Sequence, residues 1–130
     1  MKFLTWEEVD EFVDIVTIRY ASRNLSGVYG VPRGGSVLAV MLSHGLNIPY
    51  LASPCENCMV VDDISDSGLT LQQYRKKGYE IVTMYCHPET KVIPHFYKNL
   101  KGDEWIVFPW EREIPHESVV SPSSNIKKQE

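Results

Sequence analysis

Hydrophobic positions follow a helical period near the start of the chain and then fall into short runs separated by turns. Thr5 and Glu8 have the spacing of a capping box, and the apolar positions after them predict an amphipathic helix over residues 5–22. A short apolar run predicts a strand over residues 27–31. The turn sequence PRGG follows it, and the next apolar segment, closed by Gly45, predicts a second helix.

The middle of the chain repeats this alternation of strand and helix. Residues 58–64 contain the run MVV, which predicts a strand buried on both faces. Residues 69–77 have helical spacing that a glycine ends, and residues 80–86 predict another parallel strand. Weaker patterns predict three further elements, namely a short strand at residues 48–51, a short helix at residues 94–100 and a last aromatic strand at residues 105–110.

Alternating strands and helices predict an α/β fold with a central, mostly parallel sheet flanked by helices. We expect this domain to occupy residues 1–113, because the sequence after it is polar, contains proline and serine, and has no periodicity. Residues 114–130 are therefore expected to form a flexible tail. In parallel sheets ligands bind beyond the carboxyl ends of the strands, so the loops that follow the strands are the places to look for a functional site.

Composition narrows the choice of partners. The 130-residue chain is 43% hydrophobic, which is enough for a core, and its net charge of -4 with scattered basic residues disfavours nucleic acid. No apolar run approaches the roughly 20 residues that span a bilayer, and acidic residues stand where a signal peptide would be apolar. We therefore expect a soluble cytoplasmic protein with no nucleic-acid or membrane partner. The pair Cys55 and Cys58 lacks a second pair of zinc ligands, so a metal or redox role is disfavoured.

The segment VVDDISDSGLT in the middle of the chain carries the main candidate chemistry. A buried strand leads into two carboxylates and then into a small, hydroxyl-rich loop. The N–H groups of that loop, the hydroxyls of Ser67 and Thr70, and the positive end of the next helix would enclose a phosphate dianion, which the glycine lets approach closely. Asp62 and Asp63 suit ribose hydroxyls and Mg²⁺. The alternative is an acidic turn that only caps a helix.

This segment resembles the phosphoribosyl pyrophosphate signature of the type I phosphoribosyltransferases. VPRGG, which follows the first strand after the opening helix, resembles the pyrophosphate-binding loop of that family, although alone it could be an ordinary turn from strand to helix. WIVFPWE, residues 105–111, is similar to the base-binding stretch of the bacterial xanthine-guanine phosphoribosyltransferases. The three matches occur in the order of the family, and the resemblance extends over residues 5–111.

The resemblance implies a transferase of purine salvage that joins a nitrogenous base, with a purine favoured, to phosphoribosyl pyrophosphate with Mg²⁺ and releases pyrophosphate. It assigns the phosphoribosyl group to Asp62, Asp63, Asp66, Ser67, Gly68, Leu69 and Thr70, with Mg²⁺ on Asp63. It assigns pyrophosphate to Arg33, Gly34 and Gly35, and the base to Trp105, Ile106 and His87. Asp66 falls where the family has the carboxylate that handles the purine N7 proton, which makes it the candidate general base.

Three of these residues also have a purely structural interpretation. Trp105 could be part of the core, Asp66 could cap a helix, and His87 could be a solvent-facing or internally bonded residue at a strand end. His87 also stands where the purine enzymes carry a lysine that contacts the 6-oxo group. That difference weakens the case for a purine over another base.

The chain departs from the family between the second and third strands. Relatives carry a long flexible loop there that folds over the site, whereas only about eight residues, 51–58, bridge the gap here. Because an uncovered site exposes the reacting ribose carbon to water, the alternative function is a binding or regulatory domain that keeps the pocket without turnover. A symmetric homo-oligomer is expected, as is common for small α/β enzymes, and a partner subunit would then be able to supply the cover.

Overall fold

The computed structural model describes residues 1–111, which form a main sheet, its flanking helices and a small second sheet. The elements in chain order are β1 (Lys2–Phe3), α1 (Trp6–Tyr20), β2 (Val28–Gly30), α2 (Ser36–Leu46), β3 (Met59–Ser65), α3 (Gln72–Lys76), β4 (Glu80–Cys86), β5 (Phe96–Leu100) and β6 (Ile106–Val107). No helix in this part of the chain is long and apolar enough to cross a bilayer. The predicted end of the domain at residue 113 and the predicted tail lie outside the described residues.

The main sheet has four strands in the order β2-β3-β4-β5, and all of them are parallel. Helices α1 and α2 cover one face and enclose the larger core around Phe12, Leu38 and Val61. The shorter α3 covers the other face over a smaller apolar cluster that includes Val60 and Leu71. Strands β1 and β6 form a separate parallel pair. The predicted α/β fold, with its parallel sheet flanked by helices, is confirmed.

The first helix begins as its sequence predicts, and the second ends differently. Glu8 N donates to the Thr5 hydroxyl at 3.1 Å, and Thr5 N donates to the Glu8 carboxylate at 3.0 Å, which completes the capping box of α1. The prediction that Gly45 closes α2 is wrong, because the helix continues to Leu46 and its C-cap is Asn47, whose φ of 55° is left-handed. Gly45 instead lets α1 come close, since a Cβ there would lie 2.5 Å from the Thr17 hydroxyl oxygen.

The short helix predicted over residues 94–100 is wrong, because strand β5 (Phe96–Leu100) occupies most of this segment. His95 N donates to Ile81 O at 2.8 Å, and Ile81 N donates to His95 Nδ1 at 2.9 Å. These two hydrogen bonds join the residue before β5 to strand β4, and the parallel pairing of the two strands continues from there. Long-range pairing with a neighbouring strand therefore overrides the weak helical pattern of this segment.

Two short predicted strands are smaller than their sequence suggests. Residues 48–51 make a single bridge, from Tyr50 to Val28, instead of a strand of their own. The aromatic strand predicted over residues 105–110 is paired only at Ile106–Val107. The pairing stops at Val107 because the next backbone N–H, that of Phe108, donates to the carboxylate of Glu111 in the following turn.

Candidate functional site

Strand β3, in the middle of the sheet, carries two adjacent carboxylates shortly before its end at Ser65. Asp62 is 1% exposed and Asp63 is 8% exposed. Asp62 Oδ1 accepts a hydrogen bond from Asp63 N at 2.8 Å, and Asp63 Oδ1 accepts one from Ile64 N at 2.7 Å. Because side chains alternate along a strand, the two carboxylates point toward opposite faces of the sheet. Backbone hydrogen bonds therefore fix both carboxylates near the carboxyl end of the sheet.

The loop between β2 and α2 meets the second of these carboxylates. Gly34 lies directly against Asp63, and a Cβ on Gly34 would stand 2.6 Å from the carboxylate carbon. Gly35 is equally restricted, since a Cβ there would overlap the carbonyl oxygen of Val61. Arg33, between the strand and these glycines, is exposed. The structure thus brings the segment VPRGG and the carboxylates of the signature into contact, as the functional interpretation of both segments requires.

Asp63 is placed in surroundings that favour its neutral form. Burial raises the pKa of Asp63 most, the hydrogen bonds that its side chain accepts oppose this, and the negative charge of Glu111 raises the pKa further. Glu111 is itself fixed, because its carboxylate accepts from Phe108 N at 2.8 Å and its own N donates to Phe108 O at 2.9 Å. Sequence reasoning missed Glu111. The signal in the sequence that could have indicated this role is the position of the acidic residue, three residues after Phe108, where a turn begins.

These surroundings suit a divalent cation that is shared with a ligand. Within residues 1–111 no group of three or more His, Cys, Asp or Glu side chains could hold a metal ion. Mg²⁺ is usually held by one or two carboxylates together with phosphate oxygens and water, so such a cluster is not needed. A cation beside Asp63 would offset both the burial of its charge and the repulsion from Glu111. Asp63 therefore fits a shared magnesium site.

Asp62 lies on the other face of the sheet, near a pair of tyrosines that sequence reasoning missed. The rings of Tyr29 and Tyr74 are 5.9 Å apart. Burial raises the pKa of Tyr74 to about 12, and the hydrogen bond with Tyr29 and the negative charge of Asp62 contribute. Tyr29 and Tyr74 lie far apart in the sequence, which is why sequence reasoning missed this ring pair.

The loop after β3 presents the predicted phosphate-binding groups. Asp66 and Ser67 are half-buried, Gly68 has a φ of 84°, and the Leu69 side chain is 60% exposed. Leu69 N donates to the Ser67 hydroxyl at 3.2 Å. Among the described residues, no group of the chain accepts the backbone N–H groups of Ser67 and Gly68. Two adjacent donors in a tight turn form a concave place for an anion.

The helix that follows this loop is shorter than predicted. It begins at Gln72 instead of Leu69, it has five residues, and the residue at its N-cap, Leu71, makes no side-chain cap. The interpretation of this segment as an acidic helix cap is therefore wrong, and so is the interpretation of Asp66 as an N-cap. A five-residue helix also contributes little dipole, so binding of an anion would depend on the loop N–H groups and hydroxyls.

His87 lies beside this loop, where the structure places it by a backbone contact. His87 N donates to Ser65 O at 2.9 Å, just before the loop begins. The Nδ1 atom of His87 accepts from Glu89 N at 3.0 Å, which in the neutral ring leaves the proton on Nε2. The half-buried side chain thus keeps one N–H donor for a ligand.

The stretch WIVFPWE lies on the small sheet, and its first tryptophan is not part of the core. Trp105 is 40% exposed, and its carbonyl oxygen accepts from Lys2 N at 2.9 Å. Trp110 is the packed one of the pair, stacked on Phe108 with ring centroids 5.1 Å apart. The core interpretation of Trp105 is wrong. Ile106 is 2% exposed, and its side chain is part of the larger core.

The short loop over residues 51–58 lies at the opposite end of the sheet from these groups. The Ser26 hydroxyl donates to Glu56 O at 2.7 Å, and the Asn57 side chain donates to Asn24 O at 3.1 Å. Asn24 and Ser26 precede β2, so the loop is tied to the amino end of the sheet. It cannot cover a ligand at the carboxyl end, which agrees with the expectation that the long flexible loop is missing.

The comparisons with known proteins agree with this geometry. No protein-family model matches the chain. The chain is 26% identical to a xanthine-guanine phosphoribosyltransferase from Idiomarina loihiensis, over 86% of this chain and 88% of that protein. A solved purine phosphoribosyltransferase from Pyrococcus horikoshii superposes with a TM-score of 0.76 and 29% identity, covering 92% of this chain and 97% of that one. A xanthine-guanine-hypoxanthine phosphoribosyltransferase from Helicobacter pylori has a TM-score of 0.67 at 18% identity, covering 85% and 93%.

The alignment with the Idiomarina loihiensis protein spans 141 positions, which is more than the 130 residues of this chain, so that protein carries extra residues inside the aligned region. The chain therefore has the type I phosphoribosyltransferase fold and is a relative, by sequence and by structure, of the purine phosphoribosyltransferases.

Proposed function

We propose that the protein transfers the 5-phosphoribosyl group of phosphoribosyl pyrophosphate to a nitrogenous base, with a purine favoured, and releases pyrophosphate. The observation that carries this proposal is the contact between Gly34 and Asp63. It joins a loop suited to pyrophosphate to a carboxylate suited to Mg²⁺ and to the ribose, at the carboxyl ends of adjacent parallel strands. A pyrophosphate and a ribose held in line across this contact are the two parts of the proposed substrate.

The loop after β3 would hold the 5'-phosphate. The N–H groups of Ser67 and Gly68 and the hydroxyls of Ser67 and Thr70 are the proposed donors. Asp62 and Asp63 would accept hydrogen bonds from the two ribose hydroxyls. Arg33 would neutralise pyrophosphate with its exposed guanidinium. These contacts act mainly by positioning, which supplies much of the rate in reactions of this class.

The proposed reaction forms one bond and breaks one. A ring nitrogen of the base attacks C1 of the ribose, the bond from C1 to the pyrophosphate oxygen breaks, and its electron pair leaves with pyrophosphate. The proton that the base loses is accepted by the carboxylate of Asp66. Asp66 is half-buried at the start of the loop after β3, residues 66–70, which is called the phosphate loop below. It caps no helix, which leaves it available for that role.

The base would be bound by the small sheet and by the end of β4. Trp105 would stack its exposed indole on the ring, and the backbone of Ile106 would meet the edge of the base. His87 would donate from Nε2 to a carbonyl oxygen of the base. We further propose Mg²⁺ on Asp63, a cytoplasmic location and a symmetric homo-oligomer, for which the apparent mass from light scattering is the test.

A turnover assay tests the proposed function. The purified protein is incubated with phosphoribosyl pyrophosphate, Mg²⁺ and, in turn, guanine, xanthine, hypoxanthine, adenine and orotate, and nucleotides are separated by chromatography. We expect a nucleoside monophosphate from at least one purine, an equal amount of pyrophosphate, and loss of both in Asp66→Asn. A folded protein that binds phosphoribosyl pyrophosphate but forms no nucleotide with any base would contradict the transfer reaction.

A second candidate function is a domain that binds phosphoribosyl pyrophosphate or a nucleotide without turnover. The observation that favours it is the loop over residues 51–58, which is tied to the amino end of the sheet and leaves the carboxyl end uncovered. This candidate predicts saturable binding of a nucleoside monophosphate in calorimetry together with no product in the assay above. Rapid product formation would exclude it.

A further inference from the structure

The last residue of β3 carries a buried hydroxyl that the proposed reaction does not use. Ser65 is 0% exposed and immediately precedes the phosphate loop. Its Oγ lies 2.7 Å from Val92 O and 2.8 Å from Thr90 Oγ1. A serine at the end of a buried strand costs free energy unless its hydroxyl is paired, so this arrangement needs both partners.

The two hydroxyls share one carbonyl acceptor. Val92 O lies 2.7 Å from Ser65 Oγ and 3.3 Å from Thr90 Oγ1, and the two hydroxyls are also hydrogen-bonded to each other at 2.8 Å. Thr90 Oγ1 in turn accepts from Val92 N at 3.3 Å. The pair closes a small network between the end of β3 and residues 90–92.

The same two segments are joined by close backbone contacts. Lys91 N donates to Ser67 O at 2.9 Å. A Cβ on Gly68 would stand 2.7 Å from Val92 N and would also overlap the Thr90 hydroxyl. Residues 90–92 therefore support the loop from one side.

We propose that Thr90, acting through Ser65, is a positioning residue that sets the affinity of the loop for the 5'-phosphate. The proposal rests on the proposed function, because it concerns the same loop. The N–H groups of Ser67 and Gly68 bind an anion well only if both point to the same place. The hydroxyl pair fixes the chain at Ser65, directly before these donors. Residues 90–92 contact Ser67 and Gly68 themselves and so restrict the direction of their N–H groups.

A substitution of Thr90 separates this role from simple core stability. Thr90→Val keeps the shape of the side chain and removes its hydroxyl, so that Ser65 Oγ loses one of its two partners and Val92 N loses its acceptor. We expect about tenfold weaker binding of guanosine 5'-monophosphate and little change in the binding of guanosine, each measured by calorimetry. Thr90→Ser should restore the nucleotide affinity to within about twofold, because the hydroxyl returns.

A matched control is Thr17→Val. Thr17 belongs to α1 and faces Gly45 of α2, and its buried hydroxyl has no hydrogen-bond partner among the described residues. The same change of side chain there should leave the affinities for the nucleotide and the nucleoside as they are. Ser65→Ala provides a second variant at the network and is expected to reproduce the effect of Thr90→Val.

Each outcome of the calorimetry has a distinct meaning. A folded Thr90→Val or Ser65→Ala protein that keeps the wild-type preference for the nucleotide over the nucleoside overturns the positioning role. Equal weakening for both ligands overturns it as well, since a general loss of structure does not select for phosphate. If the wild-type protein binds neither the nucleotide nor ribose 5-phosphate, the proposed function fails first, and this result is distinguishable from the other two.

Discussion

At the carboxyl end of the main sheet the buried carboxylate of Asp63 has no ion-pair partner within residues 1–111, whereas at the amino end the polar side chains are paired with one another. Asp63 is buried against Gly34 and has a raised pKa. At the opposite end the Tyr20 hydroxyl donates to Glu80 at 2.7 Å, and Arg23 donates to the same carboxylate at 3.1 Å. The first arrangement is costly without a ligand, and the second is satisfied as it stands.

This difference suggests that the carboxyl end of the sheet controls ligand binding and the amino end controls stability. A polar group that is paired only when a ligand is bound destabilises the free protein and stabilises the complex, so its removal should lower ligand affinity more than the free energy of unfolding. Removal of a group that is already paired within the protein should lower the free energy of unfolding more than ligand affinity. Substitutions at the two ends of the same sheet should therefore give opposite signatures, and four variants test this contrast.

The largest effect is expected at Asp63. Asp63→Asn removes the charge that Mg²⁺ and the ribose require, so we expect turnover to fall about 100-fold to 1,000-fold. The free variant should unfold at the same or a higher temperature, because a buried carboxylate with a raised pKa disfavours the folded state at neutral pH. Thermal unfolding and the nucleotide assay measure the two effects. Asp14→Asn, at an exposed position of α1, is the control and should change neither.

The next effect is expected at Gly34. Gly34→Ala would place a methyl group against the Asp63 carboxylate and separate the two halves of the site. We expect binding of phosphoribosyl pyrophosphate to weaken about tenfold or more, measured by calorimetry. Gly102→Ala is the matched control, since a Cβ there has nothing within 4 Å. Equal affinities in the two variants would mean that the contact does not form part of the site.

At the amino end the first test is Tyr20. Tyr20→Phe removes the hydrogen bond to Glu80 and should lower the free energy of unfolding by about 1 kcal/mol while leaving ligand affinity unchanged. Burial and this hydrogen bond raise the pKa of Tyr20 above 10.0. The contribution of the hydroxyl is therefore complete below pH 10 and is lost as the pH rises further. Denaturant unfolding of the variant and of Tyr50→Phe, an exposed control, measures it.

The smallest effect is expected at Arg23. The side chain is 49% exposed, so its ion pair with Glu80 is screened by water and salt. Arg23→Gln should lower the free energy of unfolding by less than about 1 kcal/mol, and the difference should vanish in 1 M salt, where the screening length is about 3 Å. A larger loss that persists at high salt would mean that Arg23 acts through packing on the Tyr20 ring.

Periodicity and short motifs predicted the parts of the fold that depend on local sequence. The capping box of α1, the buried strand β3 and the loop after it could be predicted, because each is encoded within about ten residues. Strand β5 was not predictable, because its conformation depends on pairing with β4 rather than on its own residues. The role of Gly45 was hidden for the same reason, since the contact that requires a glycine comes from Thr17 on another helix.

The site divides in the same way. Asp62, Asp63 and the loop that follows them are contiguous, and sequence alone predicted them as a unit. Glu111 and the hydroxyl pair of Ser65 and Thr90 were missed, because these contacts join positions far apart in the chain. A polar residue in a buried strand is the signal that such a contact exists, although it does not say with which partner.

The central claim is that the carboxyl end of the sheet binds phosphoribosyl pyrophosphate. Calorimetric titration of the wild-type protein with this compound and Mg²⁺ tests it most directly. We predict saturable binding of one molecule per chain at concentrations below about 1 mM, and its loss in Asp63→Asn. A folded wild-type protein that shows no saturable binding in that range, or an Asp63→Asn protein that binds equally well, would contradict the claim.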